Sequence, residues 1–356
     1  MYTKWNKNKL NEQIDKIAIM HAEHPSLKYE RDLDSLCRLV NNKSKLFEQE
    51  GKFSDQIMYD KALLYKNRAF VDNIHTFAEQ SDLLSFKNIE LINTWEIQNK
   101  YLISFLHDFY NSIDRDLAKI FNKIFKEKKN NLRLTRKNME GYDRNYSTYI
   151  KSLDYAYFNI ALTDTVDDFL SLVHEYAHAI ADYMHFRPSY SSYPFIELLP
   201  LLMERLASDK LVEYFMDLEK DIYLLNGLSD KKIIQYAQEI SIQDKCLSLF
   251  NNNDTRKNYI SNISHYTGDT KSKCERLLNS SLEEKLAYTI PYLTMIEFYD
   301  LYYKDPAQCL YILKNLITLT GEDYYKFLTN NNIILNEHSK EFIEEDKEKI
   351  RLAHYM

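Results

Sequence analysis

Two histidines and a glutamate stand together at His174-Glu175-Tyr176-Ala177-His178. On an α-helix, residues four apart lie one above the other on the same face. Both imidazoles then come within reach of one Zn²⁺, at roughly 2.0–2.1 Å each. Glu175, beside the first histidine, can take a proton from a water that the metal acidifies. The pattern predicts hydrolysis of peptide bonds. Histidine is scarce, ten residues in 356. From residue frequencies, an HExxH arises by chance on the order of 0.02 times in such a chain, so a helix that merely carries two histidines is the weaker reading.

The chemistry requires a helix, and the context supplies one. Asp167 and Asp168 stand where acids favour a helix start. Phe169, Leu172, Val173, Ala177 and Ile180 recur at helical spacing. Neither Gly nor Pro occurs from Phe169 to Arg187.

Two histidines need a third protein ligand and an open position for water. His185 shares their face, but the metzincin pattern would put Gly and His where Ala181 and Met184 stand. His185 therefore reads as a surface or supporting residue. Glu197 is the better ligand. It follows a Ser-, Tyr- and Pro-containing loop, Arg187 to Pro194, that lets the chain reverse into a second helix. It is an acid in an apolar run, and a buried carboxylate is costly unless paired or bound to metal. Glu204 lies seven residues on, on the same face. It could be the ligand instead, could orient a histidine, or could pair with Arg205 or Lys210.

Taken together, Asp154 to Ile160, the run Asp168-Phe169-Leu170-Ser171-Leu172-Val173-His174-Glu175-Tyr176-Ala177-His178, and the Glu197/Glu204 pair resemble the M3 family of zinc peptidases, which includes thimet oligopeptidase and oligoendopeptidase F. The resemblance is strong over roughly residues 131–215 and weak beyond, although the stretch from about Tyr288 to Asp323 is similar to the oligoendopeptidase F end. It implies His174, His178 and Glu197 as zinc ligands, Glu175 as general base, and Glu204 as the second glutamate of the pair. It also implies a tyrosine that donates to the oxyanion, for which Tyr288 and Tyr292, one helical turn apart, are the candidates; His265 has no good claim to the family's nearby histidine. Three departures matter. Ala177 replaces a Gly, which is a small-for-small change. Pro200 stands three residues after Glu197, where it could disturb the local helix. Only 173 residues precede the motif, fewer than in family members, so part of one wall of the family's cleft is expected to be lacking.

Composition bounds the alternatives. The net charge is −7 and the pI about 5.9, so a basic face for nucleic acid is not indicated. The basic run from Lys123 to Lys137 reads as a solvated helix end and turn. Four dispersed cysteines, Cys37, Cys246, Cys274 and Cys309, argue for a reducing compartment rather than a disulfide framework. Met1 to Gln13 is polar and no run approaches eighteen apolar residues, so neither a signal peptide nor a membrane span is expected, and the location is expected to be cytoplasmic.

Only five glycines and six prolines predict long, seldom interrupted helices. Residues 1–130 read as successive helices, broken near Pro25, at Gly51-Lys52-Phe53-Ser54 and at Ser81-Asp82. A turn around Gly141 precedes one or two strands in Tyr146–Leu162, ending just before the metal helix. Gluzincin peptidases place an edge strand there, to which a peptide can add as a further strand. Helices are then expected over 195–224, 230–250, 282–303, 306–319, 322–329 and 338–352, the last of them exposed. The fold class is mainly α: a helical gluzincin-type metallopeptidase with a small β-sheet next to the HExxH helix and two lobes around a cleft. A single catalytic domain is expected over 1–356, with a helical lobe over about 1–130. The strands, the metal-binding part and the C-terminal helices fill about 131–356.

The expected activity is zinc-dependent endopeptidase cleavage of short peptides, with one Zn²⁺ per chain and a peptide as partner, and no nucleic acid or membrane. Two alternatives stand beside it. One is a non-catalytic, metallopeptidase-like peptide-binding protein, which would have no need of Glu175. The other is another gluzincin such as an aminopeptidase, whose G-x-M-E-N and W-x-x-E-G segments are absent here.

Overall fold

With so few residues able to stop a helix, the chain forms helices wherever apolar residues recur every three or four positions. The computed structural model describes residues 13, 16, 17, 20, 53–81, 99–136, 145–150, 155–163, 165–185, 195–215, 219–248, 256–268, 270–319 and 324–355. In chain order the elements begin with α1 (Phe53–Lys66), α2 (Arg68–Gln80), α3 (Asn99–Ile113), α4 (Arg115–Lys126) and the single turn α5 (Lys128–Asn131). Strands β1 (Leu132–Arg136), β2 (Tyr146–Ile150) and β3 (Tyr155–Leu162) come next, then α6 (Asp167–His185) and a 3₁₀ turn (Phe195–Glu197) that runs into α7 (Leu198–Tyr214). They are followed by α8 (Glu219–Ser248), α9 (Arg256–Thr267), α10 (Lys271–Asn279), α11 (Leu282–Lys304), α12 (Pro306–Thr318), α13 (Tyr324–Asn330) and α14 (Ser339–Tyr355). The fold is mainly α, with a small sheet packed on the helix that carries the HExxH sequence. No helix among the described residues is long and apolar enough to cross a membrane.

The described residues fall into two compact units that interleave along the chain. One is drawn from Met1–Glu50, Glu90–Tyr190 and Met203–Ile222, the other from Gly51–Ile89, Ser191–Leu202 and Tyr223–Met356.

In the first unit, α4 shows how local sequence sets an element. Asp114 caps it, its carboxylate accepting from the N–H groups of Asp116 and Leu117 at 2.9 Å each. Leu117, Phe121, Ile124 and Phe125 bury one face of it. The sheet order is β1-β3-β2, with β1 parallel to β3 (Leu132↔Phe158 to Arg136↔Leu162) and β2 antiparallel to it (Tyr146↔Asn159 to Ile150↔Tyr155).

Two expectations are corrected here. The strand that ends before α6, β3, is the central strand, and among the described residues the edges are β1 and β2. The reason lies in its sequence: Tyr155-Ala-Tyr-Phe-Asn-Ile-Ala-Leu162 is uncharged and buried from Ala156 onward. A strand buried on both faces belongs inside a sheet. In addition, β1 occupies residues that had read as part of a solvated basic turn. Leu132 and Leu134 alternate with Arg133 and Thr135 only briefly, too short a pattern to stand out against the surrounding basic residues.

The second unit gathers around α11, against which α1, α2, α12, α14 and the 3₁₀ turn pack. Ser281 caps α11 by accepting from the Glu284 N–H at 3.1 Å, and Pro306 opens α12. Three features of these helices differ from expectation. α8 runs unbroken through Gly227; an isolated glycine costs a helix only about 1 kcal/mol relative to alanine. α9 and α10 fill 256–279, where Asn, Ser and Thr had masked the buried Tyr259, Ile260 and Ile263. α14 is amphipathic rather than exposed, burying Phe342, Ile343, Asp346 and Ile350. Pro25, most of the turn around Gly141, and Cys37 lie outside the described residues.

Candidate metal centre

The metal-type site begins at the junction of β3 and α6. Asp168, almost wholly buried, accepts from the Thr163 N–H at 2.7 Å and the Thr163 hydroxyl at 2.9 Å. This carboxylate ties the end of the central strand to the first turn of α6 and complements the helix N-terminus. The buried side of α6 is aromatic. Tyr176 stacks on Phe158 of β3 with centroids 4.2 Å apart and planes 8° apart, and contacts Phe121 of α4 at 5.5 Å. Phe169 meets Phe105 of α3 edge-on at 5.4 Å.

His174 and His178 emerge from the other side of that helix, both half-buried. Their Nε2 atoms lie 3.0 Å apart and the ring planes cross at 76°. Two nitrogens each about 2.05 Å from a tetrahedral zinc would be about 3.3 Å apart. The observed separation is close to that spacing and is also that of a hydrogen bond between the two rings. On the far side of the His174 ring, Nδ1 stands 2.9 Å from Glu204 Oε1. Were Nδ1 to carry the proton, facing this carboxylate, the Nε2 lone pair would be left for a metal. Lys210, one suggested partner for Glu204, pairs instead with Glu213 at 2.8 Å. Glu175, 7 % exposed, is the buried acid of the group.

Glu197 closes the 3₁₀ turn that leads into α7, seven residues before Glu204. Phe195 anchors this turn, packing against Phe70 at 5.7 Å and Tyr324 at 4.8 Å. Pro200 falls in the first turn of α7, where a missing N–H costs least, so it does not disrupt the helix. Glu197, half-buried, is the carboxylate that the sequence offers beside these two histidines. Two nitrogens and a carboxylate oxygen form a donor set suited to zinc.

A second group among the described residues, Glu297, Glu337 and His338, also offers three ligand atoms. Its geometry differs. His338 Nδ1 is 2.7 Å from Glu297 Oε2, and Nε2 is 3.6 Å from Asp300 Oδ2. Both ring nitrogens face carboxylates as donors, which is the arrangement of an ion pair rather than of converging lone pairs.

The two tyrosine candidates lie on α11 and have different surroundings. Tyr292 is buried, and its hydroxyl donates to Asp230 Oδ1. Tyr288 is half-buried, with Lys232 Nζ 4.9 Å from its ring centroid. His265 is exposed on α9. Sequence reasoning passed over Tyr110 of α3, which is fully buried and whose hydroxyl donates to the Val173 carbonyl at 2.7 Å. Only its place in the apolar stripe of an amphipathic helix hinted at burial, and nothing local announced its partner.

No protein-family profile matches this chain, and no curated protein matches it in sequence. Its fold is similar to that of several solved peptidase structures. A structure assigned as an oligoendopeptidase F from Bacillus anthracis str. Ames shares it with a TM-score of 0.54 at 13% identity, over 92% of this chain and 64% of that one. Another structure assigned as oligoendopeptidase F gives 0.53 at 12% identity, over 98% and 75%. PZ peptidase A with an inhibitor gives 0.52 at 11% identity, over 98% and 76%. The chain thus spans 64% of the length of the first of these.

Proposed function

We propose that this chain is a zinc-dependent peptidase of the M3 type that cleaves internal bonds of short peptides. The observation that carries the reading is the convergence of His174 and His178 Nε2 at 3.0 Å while Glu204 engages the opposite nitrogen of His174. The likeness in fold to oligoendopeptidase F structures supports it.

In this reading His174, His178 and Glu197 hold one zinc ion per chain. The chemistry the ion supplies when bound is acidification of water toward a pKa of ~7 and polarisation of a carbonyl. The chain's own residues do the rest. Glu175 accepts the proton of the attacking water and passes it to the leaving amine. Glu204 holds His174 in the tautomer and rotation that a ligand needs. Tyr288 donates to the oxyanion of the tetrahedral intermediate. An O–H has one proton to give, and that of Tyr292 is engaged by Asp230, so Tyr292 is assigned to support rather than to the reacting atoms. A peptide substrate would extend the sheet at β2, the edge strand packed on α6.

The test is cleavage of a mixed peptide library by the zinc-loaded protein, read by mass spectrometry, with Glu175→Gln beside it. Products from the wild type alone support the peptidase reading. A metal-replete wild type that cleaves nothing in the library would turn the assignment toward a peptide-binding role.

A further inference from the structure

The helix that carries His174 and His178 is gripped from behind at one backbone atom. The Tyr110 hydroxyl donates to the Val173 carbonyl at 2.7 Å, and Val173 directly precedes His174. Within α6 the same carbonyl is in register to accept from Ala177, the residue before His178. The tyrosine therefore bonds to the backbone of the one turn that separates the two imidazoles.

The ring that delivers this bond has little freedom. Tyr110 is fully buried and stacks on Phe121 with centroids 4.7 Å apart and planes 15° apart. Phe121 in turn touches Tyr176 of α6, and Tyr176 lies flat on Phe158 of β3. Phe109 packs edge-on against Tyr110 at 5.2 Å. Rings from α3, α4, α6 and β3 thus form one continuous wall that sets where the hydroxyl points. Burial pushes the Tyr110 phenol well above its usual range, with the Tyr176 and Glu204 side chains adding to the effect. The group remains a donor at any working pH.

The contrast with Tyr176 is informative. Its hydroxyl is equally buried, yet has no hydrogen-bond partner among the described residues. Burying a hydroxyl in this wall does not by itself require a bond to the helix, so the Tyr110–Val173 bond is a specific feature.

We propose that Tyr110 is a positioning residue for the metal centre. Through the Val173 carbonyl it fixes the rotation of the turn that carries His174, so that one ring nitrogen meets Glu204 while the other faces His178. The inference rests on the reading of His174 and His178 as metal ligands. A turn free to rotate would let Nε2 drift from its partner at little cost to the fold, because the aromatic wall would still be buried.

The experiment compares Tyr110→Phe, Tyr176→Phe and Phe109→Leu with the wild type in the full chain. Zinc affinity is measured by competition with a chromophoric chelator, the visible spectrum is recorded after cobalt substitution, and thermal stability is measured on the metal-free protein. Tyr110→Phe is expected to weaken zinc binding about 10-fold or more, the lower end of what supporting hydrogen bonds contribute at metal sites, and to shift the cobalt bands. Tyr176→Phe should leave both unchanged. Phe109→Leu should lower the melting temperature without that loss of affinity. Wild-type affinity and spectrum in Tyr110→Phe overturn the proposal. So does a zinc loss in Phe109→Leu that matches its loss of stability, or a Tyr110→Phe protein that fails to fold. Zinc binding that survives in the His174→Ala and His178→Ala variants would instead overturn the metal-centre reading beneath it.

Discussion

Glu204 Oε1 lies 2.9 Å from His174 Nδ1, on the side of the ring opposite the nitrogen that faces His178. The imidazole thus faces a carboxylate of α7 on one side and its neighbour on α6 on the other. Glu204→Gln keeps the size but weakens the acceptor, and is expected to lower zinc affinity about 10- to 100-fold. Glu197→Gln should lower it further, since the proposed ligand rather than a supporting group is altered. Chelator competition on the two variants checks the order, and the reverse order would reassign the third ligand.

Glu175→Gln should retain zinc at wild-type stoichiometry. Its turnover should fall by about 10²- to 10⁴-fold, the usual contribution of a general base. Metal analysis beside a fluorogenic peptide assay separates the two quantities. Near-normal turnover in the zinc-loaded variant would exclude Glu175 as the base.

The tyrosines of α11 should part company. Tyr292→Phe removes a buried donor to Asp230 and is expected to destabilise the protein by about 1.5–3 kcal/mol in denaturant unfolding, the range for hydrogen bonds to charged groups. Tyr288→Phe should reduce kcat more than it raises KM. A Tyr288 variant with unchanged kcat removes it from the reaction.

The pair His338 and Glu297 predicts a pH effect on stability. Burial alone would lower the His338 pKa, but its hydrogen bond to Glu297 and the nearby charges of Glu297 and Asp300 outweigh both burial and Lys304, and the net shift is upward. Burial raises the Glu297 pKa, and His338 offsets this only in part, while Glu337 adds to it. Both groups thus hold a proton more tightly in the folded chain than in the unfolded one. For His338 the stabilisation is complete below the ordinary imidazole value and is lost as pH rises through the raised one. Stability should therefore decline as pH rises from the carboxylate range through the imidazole range. Melting curves across pH for the wild type and His338→Gln check this, and the variant should lose the upper part of the decline.

Much of the helical architecture was legible because its causes are local. Asp167 and Asp168 at a helix start and apolar residues every three or four positions act within a turn or two of themselves. The same locality places His174 and His178 on one face of α6. Local signals were weakest where polar residues diluted the period, as in α9, or where a strand was short and basic, as in β1.

The sequence by itself determined that Glu197 and Glu204 would be two turns apart and that His174, Glu175 and His178 would share one helix. Only the tertiary structure decided that Glu204 would meet Nδ1 of His174, that β3 would lie inside the sheet, that Tyr292 would give its proton to Asp230 and that Tyr110 would reach the Val173 carbonyl. The bond from Tyr110 joins residues 63 positions apart, and that from Tyr292 joins residues 62 apart. Periodicity fixes which way a side chain leaves its own element. What it meets depends on how separate elements pack, and that is set by the shape and burial of the whole core.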